Sequence, residues 1–226
     1  MKKLVITIDG PAGSGKSTTA RLVAKRLDYL YLDTGAMYRA VTLKAIQTGI
    51  DLEDIEGLEA MAAATEVDIV PDPGGYRVLL DGEDVTERIR SRDVTRASSI
   101  VSAVPGVRRR MVEIQRRLGQ QGGIVAEGRD MGSVVFPDAD LKIYLDADLE
   151  TRARRRKLEL EEKGEHVDID DIRKDIIARD TYDSQRRHSP LVVPDGAVVI
   201  DTTHLTIQEQ VELVLSHVKR IVGEKA

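Results

Sequence analysis

Residues 10–17 read Gly-Pro-Ala-Gly-Ser-Gly-Lys-Ser and fill every fixed position of the pattern G-x-x-x-x-G-K-[ST]. A loop of this kind holds the phosphates of a nucleoside triphosphate. Gly10, Gly13 and Gly15 let the backbone curl until successive N–H groups around Pro11, Ala12 and Ser14 point at one anion. A helix opening at Lys16 adds its positive end and its unpaired N–H groups. Lys16 reaches the β- and γ-phosphates, and the Ser17 hydroxyl ligates Mg²⁺. Thr18 completes the expected ATP-binding stretch. Thr18 also stands where a dinucleotide-binding G-x-G-x-x-G would need its last glycine, so that alternative fails.

Three further segments carry residues suited to an anionic acceptor. Residues 33–39, DTGAMYR, bring Asp33, Thr34 and Arg39 together after a short apolar run. They can line a ligand site, and Asp33 or Thr34 can equally cap a helix; both roles are compatible. Residues 124–130 end a buried run in Glu127, Gly128, Arg129 and Asp130, which reads as an acceptor site or as a structural ion pair. Residues 179–187, RDTYDSQRR, put Arg179, Asp183 and Arg186 on one side of a helix. A solvated helix face would look the same.

Composition bounds the rest. The 226 residues, 41% hydrophobic and 32% charged, suit one large soluble domain. The chain has no Cys, which excludes disulfide and thiolate chemistry, and its four His are far apart. Its net charge of −5 and its aromatic content of 3% disfavour a nucleic-acid polymer as partner. Arg nevertheless outnumbers Lys 23 to 11 and clusters at 108–110, 116–117, 152–156 and 186–187. Arginine suits bidentate contact with phosphate. No apolar run approaches the length of a membrane span or a signal-peptide core. A cytoplasmic monomer is expected. An N-K-x-D guanine motif is absent, which removes a GTPase reading, and the chain is short for a motor or a helicase.

These residues need elements to carry them. Residues 3–8 read as a buried strand, and 16–27 as a helix with apolar positions at 20, 22, 23 and 27. A strand at 30–32 and a helix at 36–47 follow, and apolar runs recur at 123–126, 141–145 and 197–200. Strands alternating with helices predict a five-stranded parallel sheet flanked by helices, an α/β fold. One stretch interrupts the alternation. Residues 67–70, a turn at 71–75, residues 76–80 and a second turn at Asp81-Gly82 predict a small inserted antiparallel meander. Tyr76, Val78 and Leu80 would share one of its faces. The meander is either decoration or part of a substrate site. Residues 149–163 predict a charged helix with Arg152, Arg155 and Arg156 on one face. Gly164 to Asp168 breaks it and helix resumes at 169–187, so residues 152–168 are expected to act as a lid.

GPAGSGKS, DTGAMYR, EGRDMGSVVFPDA and RDTYDSQR, in that order, resemble bacterial cytidylate kinases over essentially the whole chain. The resemblance implies a single P-loop NTPase kinase domain over 1–226, with an inserted monophosphate-binding region at roughly 36–105. It implies phosphoryl transfer from ATP to CMP or dCMP with Mg²⁺. Lys16, Arg129 and Arg186 would be catalytic. Arg39, Arg129 and Arg186 match arginines that grip the acceptor phosphate. Ser99, Arg108 and Asp130 match residues that read cytosine, and Arg179 and Asp183 match residues that contact the sugar. Glu127 stands where some members have Asp, and Thr34 where some have Ser. The chemistry is consistent with this: a carboxylate accepts from the cytosine N4 amino group, an arginine donates to O2 or N3, and the O4 carbonyl of uracil would repel the carboxylate. UMP, AMP, or a small acid or sugar are the competing acceptors. A regulatory switch without turnover is the competing class.

Overall fold

The computed structural model describes residues 3–72, 75–162 and 164–224. Met1, Lys2, the Pro73-Gly74 part of the expected turn, and Lys163 at the end of the expected charged helix lie outside the described residues.

Val5–Asp9 (β1), Leu30–Asp33 (β2), Ile124–Gly128 (β6), Leu141–Asp146 (β7) and Val198–Asp201 (β8) form one sheet in the order β2-β6-β1-β7-β8. All four pairings are parallel. A parallel sheet needs cover on both faces. On one side lie Lys16–Leu27 (α1) and Ile207–Glu224 (α8), whose Val23, Val211 and Val214 join Ile6, Ile8, Ile143 and Leu145 in one apolar cluster. On the other lie Thr34–Thr48 (α2), Ile55–Ala63 (α3) and Pro105–Gly119 (α5), which bury Met37, Leu58, Met111 and Ile114 against Leu32 and Ile124. Each of these fully buried side chains is worth about 1.5–3 kcal/mol.

The expected meander is present. Val67–Asp72 (β3), Gly75–Leu80 (β4) and Glu83–Asp84 (β5) make a separate antiparallel sheet, with Val67 opposite Leu80 and Asp72 opposite Gly75. Pro71 and Asp72, expected in the turn, belong to β3 instead. The pairing extends through Pro71 opposite Tyr76 to Asp72 opposite Gly75, so Gly75 of the expected turn belongs to β4. Val78 and Leu80 are buried and Tyr76 half-buried on one face, as the alternation predicts. Four helices had no counterpart in the sequence reading: α3, Arg92–Val101 (α4), α5 and α8.

Leu149–Glu162 (α6) and Ile169–Gln185 (α7) form the expected charged helix pair. They share a small apolar cluster of Ala153, Ile172 and Ile176. Among the described residues no helix is long and apolar enough to cross a membrane.

The register decides where chemistry can occur. Asp9 lies opposite Gly128, and Asp33 opposite Glu127. The carboxyl ends of β1, β6 and β2 therefore finish level with one another, where ligands bind in open α/β sheets.

Candidate functional site

The loop after β1 begins with Gly10 at φ +151°, where an added Cβ would lie 2.1 Å from the Leu145 carbonyl oxygen. Gly15, at φ +91°, is the N-cap of α1 and supplies no side-chain hydrogen bond to it. The first amides of α1 are thus left for an anion. Lys16 is buried, with Nζ donating to the Pro11 carbonyl at 3.0 Å. Burial and then the nearby Arg129 charge push its amine down to about 7. An amine held with so little water gains from an anionic ligand, which favours its charged form. Ser14 Oγ is buried and has no hydrogen-bond partner. The Ser17 hydroxyl donates to Glu127 Oε2 at 2.8 Å. Thr18 is half-buried on α1.

Glu127, at the end of β6, joins this loop to the opposite side. Its carboxylate also accepts from the Tyr31 hydroxyl at 2.6 Å, and its carbonyl from Thr34 Oγ1 at 2.7 Å. Burial, reinforced by Asp33, raises its carboxyl above the usual range. Asp33 caps α2 through a 2.8 Å bond from the Ala36 amide, and pairs with Arg39 at 3.4 Å. Capping and siting beside the cleft hold together, as the sequence allowed.

The remaining residues converge from separate elements. Arg108 of α5 and Asp130, just beyond β6, form a buried ion pair. Arg108 also lies 5.2 Å from the Tyr38 ring centroid, a cation–π contact. Arg129 Nε donates to Asp183 Oδ2 at 2.8 Å, and Arg186 reaches Asp183 at 3.5 Å and Asp130 at 3.9 Å. Burial opposes ionisation of Asp183, yet Arg129, Arg186 and Arg179 outweigh it and hold its carboxyl below the usual range. Arg179 carries a guanidinium lowered to about 10 by desolvation in the cleft and then by the Arg129 charge, although the residue keeps an open side to solvent. Arg108 Nε and Arg186 Nη2 are buried donors without a hydrogen bond, Arg186 Nη2 having only the 3.9 Å ion pair with Asp130. Buried donors of this kind cost stability unless a ligand meets them.

Ser99 is the expected site residue the structure brings in least. It is exposed on α4, and its hydroxyl donates only to the Arg96 carbonyl, at 3.4 Å. Its own carbonyl accepts from the Tyr182 hydroxyl of α7 at 3.2 Å.

The three lid arginines differ from one another. Arg152 donates to the Ala12 carbonyl at 3.1 Å and pairs with Asp180, which also accepts from the Ala12 amide at 3.1 Å. Arg155 holds the Thr202 carbonyl at 2.6 Å and the Ser14 carbonyl at 3.4 Å. Both therefore brace the phosphate loop. Arg156 instead pairs with Glu159 of its own helix at 2.8 Å.

Sequence reasoning missed Asp9, Tyr38, Tyr76 and Asp180. Asp9 is fully buried and accepts from the amides of Met131 and Gly132 at 2.9 and 2.8 Å. It holds the single π-turn, Met131–Val135, that follows Arg129 and Asp130. Burial pushes its carboxyl up to about 6. An acidic residue closing a buried apolar strand was the available signal.

A sequence profile described as cytidylate kinase matches residues 6–220. The cytidylate kinase of Pelotomaculum thermopropionicum is 51% identical over 214 residues, covering 94% of this chain and 95% of that one. The cytidylate kinase of Symbiobacterium thermophilum is 50% identical over 220 residues, covering 97% of each. Among solved structures, a shikimate kinase from Bacteroides thetaiotaomicron aligns with a TM-score of 0.50 at 10% identity, over 96% of this chain and 98% of that one, which speaks to the fold alone. With a phosphate loop facing a cleft of paired arginines and carboxylates, and with relatives of this identity over nearly its whole length, the chain belongs to the cytidylate kinase family.

Proposed function

We propose that the chain transfers the γ-phosphoryl group of ATP to CMP and dCMP, giving ADP with CDP or dCDP, as a phosphotransferase of pyrimidine nucleotide metabolism. The observation that carries the cytosine assignment is the buried Arg108–Asp130 pair. Asp130 offers acceptors to an exocyclic amine, and Arg108 offers donors to a ring nitrogen or carbonyl. The pattern complements cytosine and opposes uracil.

The acceptor is itself a phosphate, largely dianionic at neutral pH because its second pKa is about 6. It needs no general base. The barrier lies in bringing two anions into line, and Lys16, Arg39, Arg129 and Arg186 supply the opposing charge. These groups stabilise negative charge as it spreads over the transferring phosphoryl. Arg179 and Asp183 would hold the sugar. Ser99 is the weakest member of this set, since it is exposed on α4 and its hydroxyl bonds the Arg96 carbonyl.

Magnesium fits the residues present. The Ser17 hydroxyl and the Glu127 carboxylate are oxygen donors 2.8 Å apart beside the phosphate loop, the ligand type a hard cation prefers. Among the described residues no group of three or more His, Cys, Asp or Glu could hold a metal. Bound beside Ser17 and Glu127, magnesium would neutralise charge on the triphosphate.

Residues 36–105 act in this reading as the monophosphate-binding region, and residues 152–168 as a lid that excludes water. The Arg92–Glu165 ion pair at 2.8 Å, between α4 and the α6–α7 loop, supports closure of the two regions toward each other. The enzyme works as a cytoplasmic monomer. The test is to mix the protein with Mg-ATP and, separately, CMP, dCMP, UMP and AMP, and to follow ADP. CMP and dCMP should give rapid ADP release. Rates no higher than buffer for both would refute the function, and equal rates with UMP would refute the cytosine assignment.

A further inference from the structure

Tyr76 belongs to the inserted sheet, yet its hydroxyl leaves that sheet and donates to Asp33 Oδ2 at 2.6 Å. Arg39 competes for the same oxygen and is held only at 3.4 Å, near the limit of a useful hydrogen bond. The other carboxylate oxygen is committed to the Ala36 amide. Both donors therefore share Asp33 Oδ2, and the phenol has the shorter bond. The Tyr76 ring is fixed by an edge-on contact with Tyr31, with centroids 5.2 Å apart and planes at 75°. Tyr31 in turn donates to Glu127. Burial and the adjacent Asp33 carboxylate hold the Tyr76 phenol far above its usual range, so it remains a donor at any working pH.

Arg129 is held closely by Asp183, at 2.8 Å, whereas Arg39 is held loosely by Asp33, at 3.4 Å, and so is the phosphate arginine most easily released to an acceptor. A fully formed Arg39–Asp33 pair would have to break each time the acceptor arrived, and acceptor binding would weaken by that amount. We infer that Tyr76 is a positioning residue for the acceptor site: by taking the shorter bond to Asp33 Oδ2 it keeps the Arg39–Asp33 pair long and easily given up to the acceptor phosphate, and makes that release depend on docking of the inserted sheet. This gives the insertion a role in the reaction beyond covering α2. The inference rests on the CMP reading of the cleft.

The test uses Tyr76→Phe, which deletes the hydroxyl and keeps the ring contact with Tyr31. Removing a hydrogen bond to a charged group should raise the KM for CMP about tenfold. The KM for ATP and kcat should stay within about twofold, since the phosphate loop is untouched. A merely structural loss would not separate the two substrates in this way. In an Arg39→Ala background, Tyr76→Phe should change the KM for CMP by less than about twofold, because the arginine it protects is gone. An unchanged KM for CMP in the single variant would overturn the inference. So would equal rises for CMP and ATP, or additive effects in the double variant. If the unsubstituted enzyme formed no ADP with CMP, the CMP reading would fail before any variant was compared.

Discussion

The donor loop and the acceptor cleft meet at the same sheet edge but are built from different material. The donor side is one contiguous run of eight residues, 10–17. It offers backbone amides with Lys16 and Ser17, is shaped by the strand before it and the helix after it, and is braced from outside by Arg152, Arg155 and Asp180. The acceptor side uses side chains from α2, α5, α7 and the end of β6, and their contacts span long stretches of chain. Arg108 meets Asp130 across 22 residues, Arg129 meets Asp183 across 54, and Asp9 meets Gly132 across 123. A backbone site is specified by local conformation, whereas a side-chain site is specified by how the whole sheet is threaded. In the proposed reading the first holds the triphosphate, and the second chooses the base.

Breaking the donor side should have the largest effect. Lys16→Ala removes the one buried amine at the phosphate loop. Its kcat/KM should fall by about 10²–10³, the usual cost of deleting a group that stabilises developing charge. The KM for CMP should hardly move. Steady-state kinetics with each substrate varied in turn would show this. An equal loss of CMP affinity would mean that the two sides are not separable.

A smaller effect tests the joint between them. Asp9 sits on the donor strand and holds the acceptor turn. Its carboxyl is raised from 3.8 to about 6, mainly by burial. The native state therefore binds this proton more tightly than the unfolded chain does. Its stabilising contribution is fully present below about pH 3.8 and is lost as the pH rises through about 6. The shift corresponds to about 3 kcal/mol. The stability of the unsubstituted protein relative to Asp9→Asn should fall by this order between pH 4 and pH 7 in urea unfolding. A difference independent of pH would place the buried proton elsewhere.

The contrast also explains what could be read in the sequence. The loop, α1 and the five core strands announced themselves through glycine spacing and short apolar runs. The meander was legible through alternation at Tyr76, Val78 and Leu80. The arginines of α5, at 108–110 and 116–117, stood out as clusters, but the sequence did not show what they pair with. Arg155 looked like a lid residue because only its spacing was visible. Its bond to Thr202 depends on where β8 ends, which spacing cannot reveal. Tyr76 was assigned to a face but not to a partner, since Asp33 lies 43 residues away on another sheet. The acceptor arginines were individually ambiguous. Their meaning came from resemblance first and from the convergence of α5, α7 and β6 afterwards.

The most direct test of the account is the ratio of kcat/KM for CMP to that for UMP, measured in the unsubstituted enzyme and in Asp130→Asn. A carboxylate only accepts, whereas an amide also donates and can meet the uracil O4. The ratio should be high in the first and fall at least about tenfold in the second, consistent with the penalty for a mismatched buried polar group. The KM for ATP should be unchanged. An unaltered ratio would contradict the assignment of Asp130 and Arg108 to the base.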